Sequence, residues 1–138
     1  MKTQYQTTVT ATGGRNGHVK SEDSILDLEV RMPKELGGNG GATNPEQLFA
    51  AGYAACFDSA LNLVMGKAKV KPSNETIVNA TVGIGPNAEG GFQLEAKLAV
   101  EIPGVDRETA QKLLEQAHQV CPYSNATRGN IEVALELV

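Results

Sequence analysis

The two cysteines, Cys56 and Cys121, are the residues of this sequence with the clearest capacity for covalent chemistry. A thiolate attacks peroxides, and the resulting sulfenic acid condenses with a second thiol to give a disulfide. Cys56 falls within a predicted apolar helix, whereas Cys121 falls at a predicted helix end before Pro122, where the chain can shift as a resolving thiol must. The alternative is a pair of buried, inert thiols, because free cysteine packs as a small hydrophobic residue.

A reactive thiolate needs a positive group nearby, and Arg15 is the first candidate for that role. Arg15 lies on a Gly-rich turn, from which its guanidinium could stabilise both the thiolate and the charge that develops on a departing oxygen. Glu46, at the predicted start of a helix, could hold that guanidinium through a bidentate ion pair. The alternative for both residues is an ordinary solvated surface charge.

Metal and nucleotide chemistry have weaker support. His118 and Cys121 give, with Cys56, at most three zinc ligands, whereas a structural zinc site usually has four at recognisable spacing. We expect His118 instead on the polar face of its helix. The Gly-rich segment 37–41 lacks the G-x-x-x-x-G-K-[ST] pattern of a phosphate-binding loop, and the acidic residues are dispersed. We therefore expect no bound metal and no nucleotide.

Length, composition and charge limit the class of protein. The 138 residues suit one compact domain, so we predict a single domain over 1–138. A short chain with no Trp often completes its apolar burial by forming oligomers. The net charge of −4, without a basic stripe, argues against nucleic acid as the partner. A polar N-terminus and the lack of an apolar run near about 20 residues predict a cytoplasmic protein with no membrane partner.

The elements that must position these residues begin with strands. Residues 3–11 are rich in β-branched side chains, a short strand follows at 18–21, and residues 26–32 alternate apolar and polar side chains. Gly and Asn between the first two strands favour a turn. We predict a three-stranded antiparallel meander.

The strongest helix signal starts at Asn44, which can cap the helix, and continues with Pro45 and Glu46, which suit its first turn. Residues 47–65 are apolar on most sides, which predicts a buried helix covered by a sheet or by a second subunit. Next come a hairpin of 75–85 and 92–102, a helix capped by Asp106 and stopped by Pro122, and a strand over 131–138. The order β-β-β-α-β-β-α-β predicts an α+β fold with antiparallel sheet packed on a buried central helix.

Two long segments resemble the organic hydroperoxide resistance (Ohr) family of the Ohr/OsmC superfamily. Its first cysteine motif is similar to residues 44–57, NPEQLFAAGYAACF, and its second to residues 121–130, CPYSNATRGN. The turn at residues 13–15 also matches, and the resemblance runs from end to end. The osmotically induced (OsmC) branch shares the two-cysteine chemistry, but the segment after Cys121 is more similar to the Ohr branch.

The resemblance implies an intertwined homodimer whose sheets wrap central helices, with its sites at the subunit interface. It implies a peroxidase of the oxidative stress response in which Cys56 is peroxidatic, Cys121 is resolving, and Arg15 with Glu46 activates the thiolate. The implied substrate is an organic hydroperoxide rather than hydrogen peroxide, and a lipoylated protein or another dithiol reduces the disulfide. No metal, haem or flavin is expected.

The spacing of Glu46 and Cys56 bears on whether one chain can form this site. In a continuous helix, Glu46 and Cys56 are about 15 Å apart along the axis, at 1.5 Å per residue. Our hypothesis is that Arg15 and Glu46 reach Cys56 from the other subunit, or that the helix breaks near Gly52. Two other functions remain open: a thiol-based redox sensor, although no basic recognition helix is present, and a small-ligand-binding dimer with inert cysteines.

Overall fold

A computed structural model describes residues 1–138 and shows an α+β fold. The chain divides into two compact units, Met1–Leu48 and Phe49–Val138, so the prediction of a single domain stays a prediction. The strands and helices, in chain order, are β1 Val9–Thr12, β2 Gly17–Ser21, β3 Asp27–Val30, α1 Pro45–Ala68, β4 Ile77–Pro86, β5 Phe92–Glu101, α2 Arg107–Val120, α3 Pro122–Thr127 and β6 Val133–Leu137.

The sheet of the first unit is the predicted antiparallel meander, in the order β1-β2-β3. Its first strand is shorter than predicted, because β2 has only five residues and pairs with Val9–Thr12 alone. A tight turn, Gly14–Asn16, joins β1 to β2. A Cβ atom at Gly17 would lie 1.7 Å from the Thr12 carbonyl oxygen, so this turn needs glycine at that position. The turn carries Arg15.

The sheet of the second unit has the order β4-β5-β6 and contains the predicted hairpin, β4 with β5. The expectation of a purely antiparallel sheet is wrong here, because β6 pairs in parallel with β5. Parallel strands need a long crossover, and α2 with α3 provides it by returning the chain to the starting end of β5. Strand β5 is therefore the central strand of this sheet.

Pro122 ends α2, as predicted, but it also begins a short helix, α3, that the sequence reasoning missed. Proline suits the first position of a helix, because its missing N–H has no partner there in any case. Asp106 caps α2 by accepting a hydrogen bond from the Thr109 amide, as expected from the sequence. Two helices thus meet at Cys121.

The core of the second unit lies between α1, α2 and β5. Its largest fully buried side chains include Tyr53, Phe57, Leu61, Leu98 and Leu114. The prediction that α1 is buried on most sides holds for only one face within this chain.

The other face of α1 is exposed. It carries Ala51 and Ala55, and Leu63 has 52% of its surface exposed. At 24 residues, α1 is also long and apolar enough to cross a membrane by length and composition alone, contrary to our expectation from the sequence. The core helix of a soluble protein meets the same criteria, so this is weak evidence for a membrane span.

Candidate active site

The fold brings the two cysteines together. Cys56, half-buried on α1, and Cys121, fully buried between α2 and α3, have their Sγ atoms 3.7 Å apart, and both thiols are free. The sulfurs of a disulfide lie about 2.05 Å apart, so closing the bond requires an approach of less than about 2 Å. The reduced pair is therefore already placed for thiol–disulfide chemistry.

The corner between α2 and α3 fixes the backbone of Cys121. Its amide donates to the Ala117 carbonyl, the last bond of α2, and its carbonyl accepts from the Asn125 amide, the first bond of α3. Pro122 forces this change of direction, because the residue before a proline avoids the helical conformation and Cys121 is extended. The sulfur thus projects from a defined turn rather than from a loose loop.

Burial raises the pKa of the Cys56 thiol above its ordinary value, because removal from water disfavours the thiolate. The backbone of Tyr123 acts in the opposite direction, and the adjacent Cys121 adds to the increase, since two thiolates would repel each other. Burial is the largest of these influences on the pKa of Cys56. Burial and the neighbouring thiol thus both oppose ionisation of Cys56.

The two charged candidates of the sequence, Arg15 and Glu46, form an ion pair within the first unit. Arg15 donates two parallel hydrogen bonds to Glu46, from Nη1 to Oε2 at 2.8 Å and from Nη2 to Oε1 at 2.6 Å. The hydrogen bonds from Arg15 hold the pKa of Glu46 below its usual value, and Glu46 in turn raises the pKa of Arg15. The structure thus contains the bidentate pair proposed from the sequence, while its action on Cys56 stays a prediction.

Glu46 lies in the first turn of α1, which begins as the sequence predicts. The side chain of Asn44 accepts a hydrogen bond from the Gln47 amide and caps the helix. The helix then continues without interruption through Gly52 to Ala68, so the hypothesis of a break near Gly52 is wrong. The remaining hypothesis is that Arg15 and Glu46 act on the Cys56 of another subunit.

Gly52 has a different role. A Cβ atom there would lie 2.7 Å from the hydroxyl oxygen of Tyr123, so only glycine leaves room for this ring beside α1. Tyr123 follows Cys121 by two residues and packs at centroid distances of 6.1 Å from Phe49 and 5.8 Å from Tyr53. These aromatic contacts, which the sequence reasoning missed, hold α3 against α1.

A buried polar cluster also escaped the sequence reasoning. The Tyr53 hydroxyl lies 2.9 Å from Ser124 Oγ and 3.2 Å from Thr127 Oγ1, and His118 Nδ1 lies 2.9 Å from Ser124 Oγ. His118 is thus partly buried rather than fully on the polar face, and burial, with a smaller effect of Arg128, lowers its pKa. Tyr53 was a possible signal, because a tyrosine on an apolar helix needs a partner for its hydroxyl.

A cleft of about 570 Å³ lies near these residues in the second unit. Phe49, Phe92, Thr127 and Ile131 are among its lining residues, and neither cysteine is. No three His, Cys, Asp or Glu side chains of the chain lie close enough to hold a metal ion together. The contact with a capacity for covalent chemistry in this unit is the one between the Cys56 and Cys121 thiols.

Comparison of the sequence with known proteins finds a matching family and similar individual proteins. The family described as OsmC-like protein matches residues 38–136. The organic hydroperoxide resistance protein of Xanthomonas axonopodis pv. citri is 52% identical over 137 residues, which cover 99% of this chain and 96% of that protein.

Two crystal structures are also similar to this chain. An organic hydroperoxide resistance protein from Elizabethkingia anophelis has a TM-score of 0.95 at 64% identity and covers 99% of this chain and 98% of its own. The organic hydroperoxide resistance protein OhrB of Bacillus subtilis has a TM-score of 0.89 at 43% identity and covers 99% and 100%. Both similarities extend over the whole fold, as the sequence resemblance predicted.

Proposed function

Because the chain belongs to the OsmC-like protein family and is similar along its length to proteins named for organic hydroperoxide resistance, we propose that it is a thiol-dependent peroxidase that reduces organic hydroperoxides to alcohols. The observation that carries the proposal is the 3.7 Å separation of the Cys56 and Cys121 sulfurs. A redox sensor would use the same pair, and catalytic turnover separates the two functions.

The reaction has three steps. The Cys56 thiolate attacks the distal oxygen of the hydroperoxide, the O–O bond breaks, and the alkoxide takes a proton to leave as an alcohol, so that Cys56 becomes a sulfenic acid. The sulfur of Cys121 then attacks that of Cys56, which forms the disulfide and releases water. An external dithiol, either a lipoyl group or another, reduces the disulfide by exchange and is itself oxidised.

The first step needs a cation, because burial raises the pKa of Cys56. In the proposed homodimer, Arg15 of one subunit, oriented by Glu46, lies at the Cys56 of the other and stabilises both the thiolate and the departing oxygen. The exposed face of α1, where Ala51, Ala55 and Leu63 lie with the polar Ser59 and Asn62, supports the dimer, since a helix of this overall composition is normally buried on most sides.

The preference for organic hydroperoxides follows from burial. An alkyl group that leaves water gains about 25 cal/mol per Å² of apolar surface, and hydrogen peroxide has no such group. The proposed enzyme carries no bound metal, haem or flavin and works in the cytoplasm, where dithiol proteins are kept reduced.

The test follows the consumption of tert-butyl hydroperoxide and of hydrogen peroxide by the purified protein, with dihydrolipoamide as reductant. We expect rapid turnover of the organic peroxide, complete loss of activity in Cys56→Ser, and accumulation of sulfenic or overoxidised Cys56 in Cys121→Ser. If the wild type consumes neither peroxide, or Cys56→Ser remains fully active, the peroxidase is excluded and a sensor or a binding protein becomes the working hypothesis.

A further inference from the structure

The buried polar cluster has no part in the proposed reaction, yet it joins all three helices of the chain. Tyr53 comes from α1, His118 from α2, and Ser124 with Thr127 from α3; we refer to these four residues as the Ser124 network. Ser124 and Tyr53 have no exposed surface, so a hydroxyl that lost its partner there could not turn to water instead.

The hydrogen bonds of the Ser124 network have a single direction. Thr127 Oγ1 donates to the Ser124 carbonyl at 3.2 Å and thus accepts from Tyr53. Tyr53, having donated its proton, accepts from Ser124, and Ser124 in turn accepts from His118. This order requires a proton on His118 Nδ1, since each hydroxyl has only one to give.

The network acts on the part of α3 that follows Cys121. Ser124 is one helical turn beyond Cys121, so clamping its side chain to α1 and α2 also fixes the start of α3. Arg128 strengthens the clamp by donating to the His118 carbonyl at the end of α2. The only side-chain hydrogen bond of Cys121 itself is with Cys56, so core packing and these neighbours together set the position of its sulfur.

We propose that Tyr53, His118 and Ser124 are positioning residues that hold Cys121 in reach of Cys56 and thereby set the rate of disulfide formation. This inference rests on the proposed peroxidase function. A sulfenic acid that waits for its resolving thiol can meet a second peroxide and become a sulfinic acid. The Ser124 network would therefore decide how much peroxide the protein tolerates before Cys56 is overoxidised, without contributing to the first attack.

The test measures two steps separately in a single turnover with tert-butyl hydroperoxide: oxidation of Cys56, and formation of the disulfide. His118→Ala removes the donor to Ser124, whereas His118→Asn keeps an N–H close to the place of Nδ1. Ser124→Ala and Tyr53→Phe remove the two central hydroxyls. Thr81→Ala, which removes an exposed hydroxyl from β4, is the control.

We expect Cys56 to be oxidised at the wild-type rate in His118→Ala and Ser124→Ala. Disulfide formation should be roughly tenfold slower, the change in rate that corresponds to the free energy of about one lost hydrogen bond. The peroxide concentration that overoxidises half of the protein should fall by a similar factor. His118→Asn should recover most of the rate of disulfide formation, and Thr81→Ala should match the wild type in both steps.

Equal slowing of both steps, or an unchanged rate of disulfide formation in every variant of the network, would overturn the positioning role while leaving the peroxidase in place. A wild type that forms no disulfide with the organic peroxide would overturn the proposed function itself. The His118 variants keep the test decisive if Ser124→Ala fails to fold, since His118 is partly exposed and its replacement leaves the core intact.

Discussion

The Arg15–Glu46 pair of the first unit and the Cys56–Cys121 pair of the second are held in place by different forces. The charged pair lies in a unit with only two buried side chains, where a glycine turn and two parallel hydrogen bonds fix the geometry. The thiol pair lies against a hydrophobic core and is fixed by packing and by the corner at Pro122. The geometry of the charged pair and the geometry of the thiol pair should therefore respond to different substitutions.

Among substitutions that keep both thiols, Arg15→Ala should give the largest change in activity, with little change in stability. In the proposed mechanism the guanidinium offsets the effect of burial, which raises the pKa of Cys56, so we expect its loss to lower kcat/KM for tert-butyl hydroperoxide by about 10³-fold. Arg31→Ala is the matched control, because Arg31 forms an exposed ion pair with Glu29 in the same unit. Wild-type activity in Arg15→Ala would show that this arginine does not activate the thiol.

Leu114→Ala should give the largest loss of stability. Leu114 has no exposed surface in the core of the second unit, and its truncation should lower the free energy of unfolding by about 3 kcal/mol. Leu28→Ala, in the first unit, removes a side chain with 42% exposure and should cost no more than about 0.5 kcal/mol. Urea denaturation at one protein concentration compares them, and equal losses would contradict the difference between the units.

Gly52→Ala should have a smaller effect that is confined to the second unit. Its new methyl group would meet the Tyr123 hydroxyl at 2.7 Å and displace the ring, at a cost of about 1–2 kcal/mol in unfolding free energy. Combining it with Tyr123→Phe removes the oxygen atom and should recover part of the loss, which a double-mutant cycle measures. Strict additivity of the two substitutions would argue against the clash.

The smallest expected effect is the dependence of stability on pH through Glu46. The hydrogen bonds from Arg15 lower the pKa of Glu46 in the folded protein. The ionised carboxylate therefore contributes fully to stability above its ordinary pKa of 4.5, and this contribution is lost as the pH falls through the folded pKa. We expect the pair to contribute no more than about 1 kcal/mol to the free energy of unfolding, because it is partly exposed. Unfolding free energies of wild type and Glu46→Gln should converge as the solution is acidified, and a constant difference would contradict this linkage.

Local signals predicted most of the fold. Asn44 and Asp106 cap the helices that follow them, and the alternation of β5 placed the long hairpin correctly. The predictions that failed concern features that are set by residues far apart in the sequence. The direction of β6 is set by the crossover of α2 and α3. Helix α3 was not predicted, because a proline can either end a helix or begin one, and Pro122 does both.

For the same reason, the sequence predicted some residues of the candidate site and not others. The family motifs identified Cys56 and Cys121, but no spacing rule places two residues so far apart in sequence at 3.7 Å. Charge and position made Arg15 and Glu46 candidates for a bidentate pair, with solvated surface charges as the alternative, and the structure forms the pair. The Ser124 network was missed, because His118, Ser124 and Tyr53 are ordinary polar residues until the packing of three helices brings them together.

The parallel pairing of β6 with β5 has a consequence for the order of folding. The meander β1-β2-β3 and the hairpin of β4 with β5 join neighbouring segments, which close quickly, whereas β6 must wait for the whole crossover to form. The loop-closure entropy of that crossover is lost before its contacts are gained. We therefore expect Cys121 to be among the last groups shielded from solvent during folding. A partly folded chain would then expose to oxidants a thiol that is fully buried in the folded protein.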